Sequence, residues 1–233
     1  MSPLQHVIAA AVGLALAAVS VGVIVRGRWR LSWFFALYLV STLMMNVLVT
    51  WWPTRFYRRW FVLGAHTVLH VIKFALALEM GWRVFRGFPG ARAAARQTAL
   101  SILGLTAVVT LTFPIDPSAD IWTTEIAHLQ PRVITSVMWL MAVTLVLAQW
   151  YRIPTHPFQY AVLSSFVPYL AVESIVLTIV GNGWLEQRYA NIDPCAYLIL
   201  ACWWVYVAWR PDRTATVSTQ IVRSLQLRGT TCG

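Results

Sequence analysis

Residues 60–82 read WFVLGAHTVLHVIKFALALEMGW, and this stretch decides the fold. A helix needs about 20 consecutive apolar residues to cross the hydrocarbon core of a bilayer, and this run is long enough. It also carries His66, His70 and Lys73 at i, i+4 and i+7 spacing, so that the three side chains share one helix face. The stretch therefore predicts a membrane-spanning helix with one polar face.

The composition of the whole chain agrees with this prediction. Hydrophobic residues make up 59% of the 233 residues, charged residues make up 11%, and the mean hydropathy is +0.65. A soluble domain is roughly 45–50% apolar and about 25% charged, so this chain lacks the polar groups to cover its own surface. We expect an integral membrane protein whose spans use almost the whole length, with little chain left for an extrinsic catalytic domain.

Seven stretches are apolar enough to span a bilayer. They are residues 7–25, 31–52, 60–82, 97–115, 133–151, 158–181 and 194–209. The last is short, and a start nearer Ile192 would lengthen it. They predict an all-α, polytopic transmembrane bundle of seven helices over residues 1–210. Outside the spans, residues 116–130 predict a short interfacial helix, and residues 211–233 predict a polar cytoplasmic tail that is either disordered or a second interfacial helix.

The arginines predict the orientation of the bundle. With the N-terminus outside, twelve arginines fall on the inner side and five on the outer side. Cytoplasmic loops carry the excess of basic residues, so the pattern predicts an outer N-terminus and an inner C-terminus in the bacterial inner (cytoplasmic) membrane. The inner set is Arg26, Arg28, Arg30, Arg83, Arg86, Arg92, Arg96, Arg152, Arg210, Arg213, Arg223 and Arg228, and the outer set is Arg55, Arg58, Arg59, Arg132 and Arg188.

The tryptophans favour the same arrangement. Indole rings are enriched at the two interfaces of a membrane, where they form aromatic belts. Trp29, Trp33, Trp82, Trp150 and Trp209 lie at predicted inner ends, and Trp51, Trp52, Trp60 and Trp184 lie at predicted outer ends.

The polar residues inside the spans are the candidate functional residues, because ionisable groups in a membrane are costly. At about 1.5 Å of rise per residue, His66 lies roughly 9 Å below the outer end of its span, His70 roughly 15 Å, Glu173 roughly 12 Å and Asn46 roughly 9 Å. Lys73 lies deeper, but its side chain leans toward the helix N-terminus and hence toward Glu173. We predict one polar layer in the outer half of the bundle, with a Lys73–Glu173 pair and a histidine between the two.

Three interpretations of this layer stay open. A buried ion pair and hydrogen-bonded histidines can hold helices in register without any ligand. Alternatively, Asn46, His66, His70, Lys73 and Glu173 form a site for a ligand, proton or ion. Finally, His66 and His70 have a spacing that suits two metal ligands on one helix face, with Glu173 as the only further acidic ligand.

Two other polar features have structural interpretations. Pro168 lies about one turn before Glu173, where it frees the carbonyl of Ser164 and predicts a kink or a broken helix. Glu79 and Arg83 have i, i+4 spacing near the inner end of their span, which predicts an interfacial ion pair.

Several kinds of chemistry are disfavoured by the sequence. A retinal Schiff base needs a lysine in the last span, and residues 194–209 contain none. Both intramembrane histidines lie on one helix, so bis-histidine haem ligation fails, although a single histidine can still be an axial ligand to a pigment. The net charge of +10 includes no basic segment long enough for a nucleic-acid surface. Cys195, Cys202 and Cys232 form no zinc or disulfide pattern.

Two segments carry a resemblance. Residues 28–38 read RWRLSWFFALY, and Glu79 and Arg83 precede FRGFPGAR at residues 85–92. Together they resemble an uncharacterised family of bacterial seven-span integral membrane proteins of about this length. The resemblance covers most of spans one to four. It implies a seven-helix fold without an assigned activity, and it carries no catalytic residues to this chain.

Three functions follow as hypotheses. With no visible catalytic constellation, the first is a non-enzymatic membrane subunit that packs among other subunits of a larger complex, such as a respiratory or photosynthetic assembly. The second is a stand-alone seven-helix sensor or carrier whose site is the polar layer. The third is a metal-dependent membrane enzyme that uses His66, His70 and Glu173.

Overall fold

The computed structural model describes residues 3–56, 59–85, 130–153, 155–181 and 191–211, with residues 93, 97 and 101 as isolated positions. In these ranges the chain is helical and has no strand. Six helices are long and apolar enough to cross a membrane, and α3 is a short helix between two of them. In chain order the helices are α1 (Pro3–Val25), α2 (Trp33–Trp51), α3 (Pro53–Phe56), α4 (Arg59–Phe85), α5 (Gln130–Trp150), α6 (Pro157–Gly181) and α7 (Ile192–Trp209).

These helices confirm the prediction of an all-α, multi-pass membrane protein. Six of the seven predicted spans coincide with long helices, and α7 starts at Ile192, where its length suggested it should. The predicted fourth span (97–115), the interfacial segment (116–130) and the polar tail (211–233) lie outside the described residues, apart from isolated positions at their edges. The count of seven spans therefore stays a prediction.

The six long helices pack in a closed ring, in the order α1, α2, α4, α5, α6, α7 and back to α1. Each helix contributes fully buried apolar side chains to a common core, among them Leu16, Phe35, Leu76, Met141, Phe166 and Trp204. Their outward faces carry large exposed apolar side chains, as expected for surfaces that face lipid. The ring therefore buries its interior on all sides and leaves an apolar exterior.

An aromatic cluster fills the centre of this ring. Phe35, Tyr38, Phe166 and Trp204 pack edge to face or tilted, with ring centroids 4.8 to 6.5 Å apart. The indole nitrogen of Trp204 donates a hydrogen bond to Ser165 Oγ at 3.0 Å, which satisfies its polar atom inside the apolar core. The aromatic cluster thus joins α2, α6 and α7.

One end of the bundle is held together by arginines, and we call it the arginine end. Arg28 is buried and donates to the carbonyl oxygens of Val207 and, at 2.6 Å, of Arg210. Arg26 donates to the same Arg210 oxygen at 2.8 Å. The last carbonyls of a helix have no intrahelical partner, so these guanidinium groups satisfy the C-terminus of α7 from the segment that follows α1.

Glu79 does more at this end than the sequence predicted. Its ion pair with Arg83 is confirmed, with Arg83 Nη2 2.8 Å from Glu79 Oε1. The same carboxylate accepts hydrogen bonds from the backbone nitrogens of Trp33 and Phe34 and from Ser32 Oγ, at 3.1, 3.0 and 2.7 Å. Glu79 of α4 therefore caps the free N–H groups at the start of α2.

The described arginines are distributed unevenly between the two ends. Arg26, Arg28, Arg30, Arg83, Arg152 and Arg210 lie at the arginine end, and Arg55, Arg59 and Arg132 lie at the other. Exposed tryptophans occur at both ends, including Trp33, Trp82 and Trp150 at the first and Trp51 and Trp60 at the second. The predicted orientation, which puts the arginine end inside, rests on this uneven distribution.

Helix α6 continues through Pro168 from Pro157 to Gly181, so the helix is not broken there. Two serine hydroxyls in the preceding turn bond to backbone carbonyls of the same helix: Ser164 to Ala161 and Ser165 to Val162, at 3.3 and 3.0 Å. The proline removes one backbone donor without dividing the span into two half-helices.

Gly22 allows α1 and α7 to approach closely. A Cβ atom at Gly22 would lie 3.1 Å from Ala208 Cβ and 3.0 Å from the indole nitrogen of Trp209. The Trp209 nitrogen in turn donates to the carbonyl oxygen of Ala18 at 3.2 Å. A side chain at position 22 would push the two helices apart.

We predict that Gly22→Leu lowers the free energy of unfolding by about 1–3 kcal/mol, because overpacking a tight contact costs about that much. The matched control is Gly64→Leu on α4, where a Cβ would meet no atom within 4 Å. Thermal unfolding of both variants in mild detergent measures the difference. Equal melting temperatures for the two would contradict the close α1–α7 contact.

Candidate functional site

The ion pair between α4 and α6 is the best-defined polar contact inside the bundle. Lys73 Nζ lies 2.6 Å from Glu173 Oε1 and 2.7 Å from Glu173 Oε2, and both side chains are about nine-tenths buried. In the ring, α5 separates these two helices, so the pair reaches across the interior rather than along a helix seam. The predicted Lys73–Glu173 pair is confirmed.

The histidine predicted between these two charges is wrong, because the ammonium contacts both carboxylate oxygens directly. His66 and His70 lie on the same face of α4, with ring centroids 6.2 Å apart. His70 is buried, and His66 is partly exposed. The histidines are thus beside the ion pair, one and two turns closer to the end opposite the arginines.

A cavity of about 390 Å³ occupies this half of the bundle. Its walls come from five of the long helices: α1, α2, α4, α6 and α7. All five residues of the predicted polar layer line it: Asn46, His66, His70, Lys73 and Glu173. The structure therefore brings together, around one space, side chains that lie on three different helices.

The position of the cavity along the bundle follows from its lining residues. Gln5 in the first turns of α1 and Asn191 and Pro194 at the start of α7 lie at its outer limit. On the deep side, Tyr38 and Tyr197 line it and pack on Trp204, at centroid distances of 6.1 and 6.3 Å. The cavity thus extends from the end opposite the arginines to the aromatic cluster, which closes it.

Asn46 marks a close approach of α1 and α2 at the cavity wall. A Cβ at Gly13 of α1 would lie 3.0 Å from Asn46 Oδ1, so the glycine makes room for the amide. Small residues are common where membrane helices come close together. The amide thus lies against α1, while the other residues of the polar layer come from α4 and α6.

Four lining residues were missed as site residues by the sequence reasoning: Tyr38, Tyr169, Asp193 and Tyr197. Tyr169 lies one turn before Glu173, and its ring centroid is 5.7 Å from Lys73 Nζ. Its hydroxyl donates to Asp193 Oδ1 at 3.4 Å. Spacing was an available signal, since Tyr169 with Glu173 and Asp193 with Tyr197 are both i, i+4 pairs that share a helix face.

Two buried polar atoms in this region have no hydrogen-bond partner among the described residues. They are the hydroxyl oxygen of Tyr197 and the side-chain carbonyl oxygen of Asn191. Both residues line the cavity. Both atoms are enclosed by protein atoms rather than exposed to the cavity, and the Tyr197 hydroxyl lies next to the side chains of Tyr38 and Thr42.

The metal interpretation gains no third ligand. In the part of the chain that the structure describes, no three side chains of His, Cys, Asp or Glu come together as a metal site. Glu173, the further ligand considered for His66 and His70, is bound by Lys73 instead. Two histidines one turn apart are all that this face offers, whereas a catalytic zinc site usually has three protein ligands.

Fold and cavity together define a class: a multi-pass helical membrane protein with a cavity in one half of its bundle that several polar side chains line. Comparisons of the chain with protein-family models, with curated proteins and with solved structures find no significant match. The resemblance to bacterial seven-span proteins therefore stays a prediction, and the function must be argued from the cavity itself.

The ion pair makes a specific prediction about stability. Lys73→Met or Glu173→Leu alone should each lower the free energy of unfolding by about 3–5 kcal/mol, because each leaves one buried charge without its partner. The double variant should recover most of this loss, since it leaves no charge behind. Unfolding in mixed micelles measures all three. Additive losses in the double variant would contradict a direct pairing.

Proposed function

We propose that this protein is a stand-alone sensor or carrier that binds a small polar molecule in the cavity. The observation that carries the proposal is the cavity of about 390 Å³ around the Lys73–Glu173 pair. Small-molecule sites typically measure about 300–1,000 Å³ and combine apolar walls with a few polar groups. With roughly 30 Å³ for each water molecule, this space takes about a dozen waters or one small organic molecule.

The residues that line the cavity support ligand binding rather than a purely structural role in holding the helices in register. A structural ion pair needs only its two charges, and tight packing around them serves it best. Here the pair borders an open space that also receives His66, His70, Asn46 and Asp193. Polar groups from several helices that converge on one cavity are typical of a ligand site.

The accessory-subunit hypothesis relies on the apolar exterior of the bundle, but contact with lipid accounts for that exterior equally well. An accessory subunit also does not require a cavity. The enzyme hypothesis needs a third metal ligand, which is lacking among the described residues. We therefore place the sensor or carrier first, and the subunit of a larger membrane complex second.

The predicted orientation determines which side of the membrane the cavity faces. If the arginine end faces the cytoplasm, as the positive-inside rule requires, the cavity opens to the outer face of a bacterial inner membrane. The aromatic cluster then separates the cavity from the inner end. A sensor can keep this barrier closed, whereas a carrier must move α2, α6 or α7 to open it.

Cysteine labelling tests the opening of the cavity. In a background with Cys195, Cys202 and Cys232 replaced by serine, Met45→Cys should react with a small charged methanethiosulfonate added to intact cells. Met45 lines the cavity, whereas its neighbour Met44 is 63% exposed on the outer surface of the bundle. Met44→Cys should stay unreactive in lipid, because the thiolate that attacks the reagent forms in contact with water. The opposite pattern would contradict the cavity.

A matched pair of tryptophan variants tests the function. After mild-detergent extraction from the source membrane, native mass spectrometry should find particles of one or two chains that carry a small-molecule adduct. Met45→Trp fills the cavity and should remove the adduct, whereas Met44→Trp adds the same side chain outside and should keep it. Co-migration of the chain with a large complex, without any adduct, would instead favour the accessory subunit.

A further inference from the structure

The charges around the cavity are unbalanced, and this imbalance indicates the class of ligand. Among the residues that the structure describes, its lining contains one lysine, Lys73, and two carboxylates, Glu173 and Asp193. Lys73 is engaged by Glu173 through both carboxylate oxygens. Asp193 has no cation at ion-pair distance among the described residues, and its one hydrogen bond is the 3.4 Å contact from the Tyr169 hydroxyl.

The cavity also offers aromatic faces beside this carboxylate. Tyr38, Tyr169 and Tyr197 all line it, and the rings of Tyr169 and Tyr197 lie 5.3 Å apart. The negative face of a phenol ring attracts a cation, and the attraction grows when water is excluded. Tyr169 already has the Lys73 ammonium 5.7 Å from its ring centroid, so this environment accepts a positive charge.

Asp193 gives this part of the cavity hydrogen-bonding capacity of a particular kind. An ionised carboxylate only accepts hydrogen bonds. The Tyr169 hydroxyl donates to one of its two oxygens, Oδ1, at 3.4 Å. A ligand that fits the carboxylate must bring N–H or O–H donors.

We propose that the cavity takes a small organic cation with N–H donors, a protonated primary or secondary amine, whose ammonium group lies between Asp193 and the three tyrosine rings. This inference rests on the proposed function, because it names the ligand class of the same site. A carboxylate or phosphate ligand would meet two carboxylates and a lysine already occupied. A quaternary ammonium would use the rings but could not donate a hydrogen bond to Asp193.

The test uses four probes of one shape: 2-phenylethylammonium, its N-trimethyl derivative, 2-phenylethanol and phenylacetate. Titration calorimetry of the full chain in mild detergent at neutral pH compares their affinities. The primary ammonium should bind at least tenfold more tightly than the alcohol and the carboxylate, and more tightly than the quaternary ion. The Met45→Trp variant, whose cavity is filled, is the control: the heat it shows with each probe reports partition of that probe into the micelle.

Two variants test the role of Asp193. Asp193→Asn keeps an acceptor for the Tyr169 hydroxyl but removes the charge, and it should weaken 2-phenylethylammonium binding at least tenfold, because charge-assisted hydrogen bonds are about twice as strong as neutral ones. Asp193→Glu keeps the charge and should retain affinity within a few-fold. Gel filtration and thermal unfolding confirm that both variants fold.

The outcomes separate the two proposals. Preference for the alcohol or for phenylacetate, abolished by Met45→Trp, would overturn the amine class while the cavity remains a ligand site. Equal binding of the ammonium to Asp193→Asn and to the parent chain would also overturn it. If the parent chain and Met45→Trp bound each of the four probes with the same affinity, the proposed function would be overturned as well.

Discussion

The absence of water inside a bilayer governs this structure. A charge or a backbone polar group within the hydrocarbon region has to find its partner in the protein. Lys73 and Glu173 meet this requirement across the interior, from helices that are not neighbours in the ring. The pair therefore fixes the distance between α4 and α6, and it sets the shape of the space on its outer side. At the arginine end the same requirement is met by Arg28 and Glu79, which satisfy the ends of α7 and α2.

The two ends of the bundle satisfy their polar groups in different ways. At the arginine end, guanidinium and carboxylate groups bond directly to helix termini. At the other end, polar side chains of five helices face a cavity of about 390 Å³. One end thus joins its helices through direct hydrogen bonds, and the other surrounds a space large enough for a small molecule. That difference, rather than any single residue, is the basis for proposing ligand binding over a purely structural role.

Much of the architecture could be predicted because membrane spans have a simple signature. Apolar length located six of the long helices, and the lean of Lys73 toward its helix N-terminus predicted its contact with Glu173. Glu79 was predicted only as half of an i, i+4 pair, because its contacts with the start of α2 depend on how α2 and α4 pack. Asp193 lies just before the predicted last span (194–209), and a carboxylate at a helix start is equally typical of a loop. Tyr38 was missed because an aromatic residue in a span does not by itself distinguish a cavity wall from a lipid-facing surface, and for Tyr169 and Tyr197 the one available signal was i, i+4 spacing to Glu173 and Asp193.

Closure of the ring also has consequences for how the protein is made. Of the described helices, α7 is made last, yet it packs on α1, which is made first, and Gly22 contacts Ala208 and Trp209 from more than 180 residues away in sequence. Contacts so distant in sequence form late. Until α7 arrives, the face of α1 that carries Gly22 and the donors of Arg28 have no protein partner from the C-terminal end. The ring can therefore close only after α7 has been made, and a chain without α7 would leave the Gly22 face of α1 exposed to lipid.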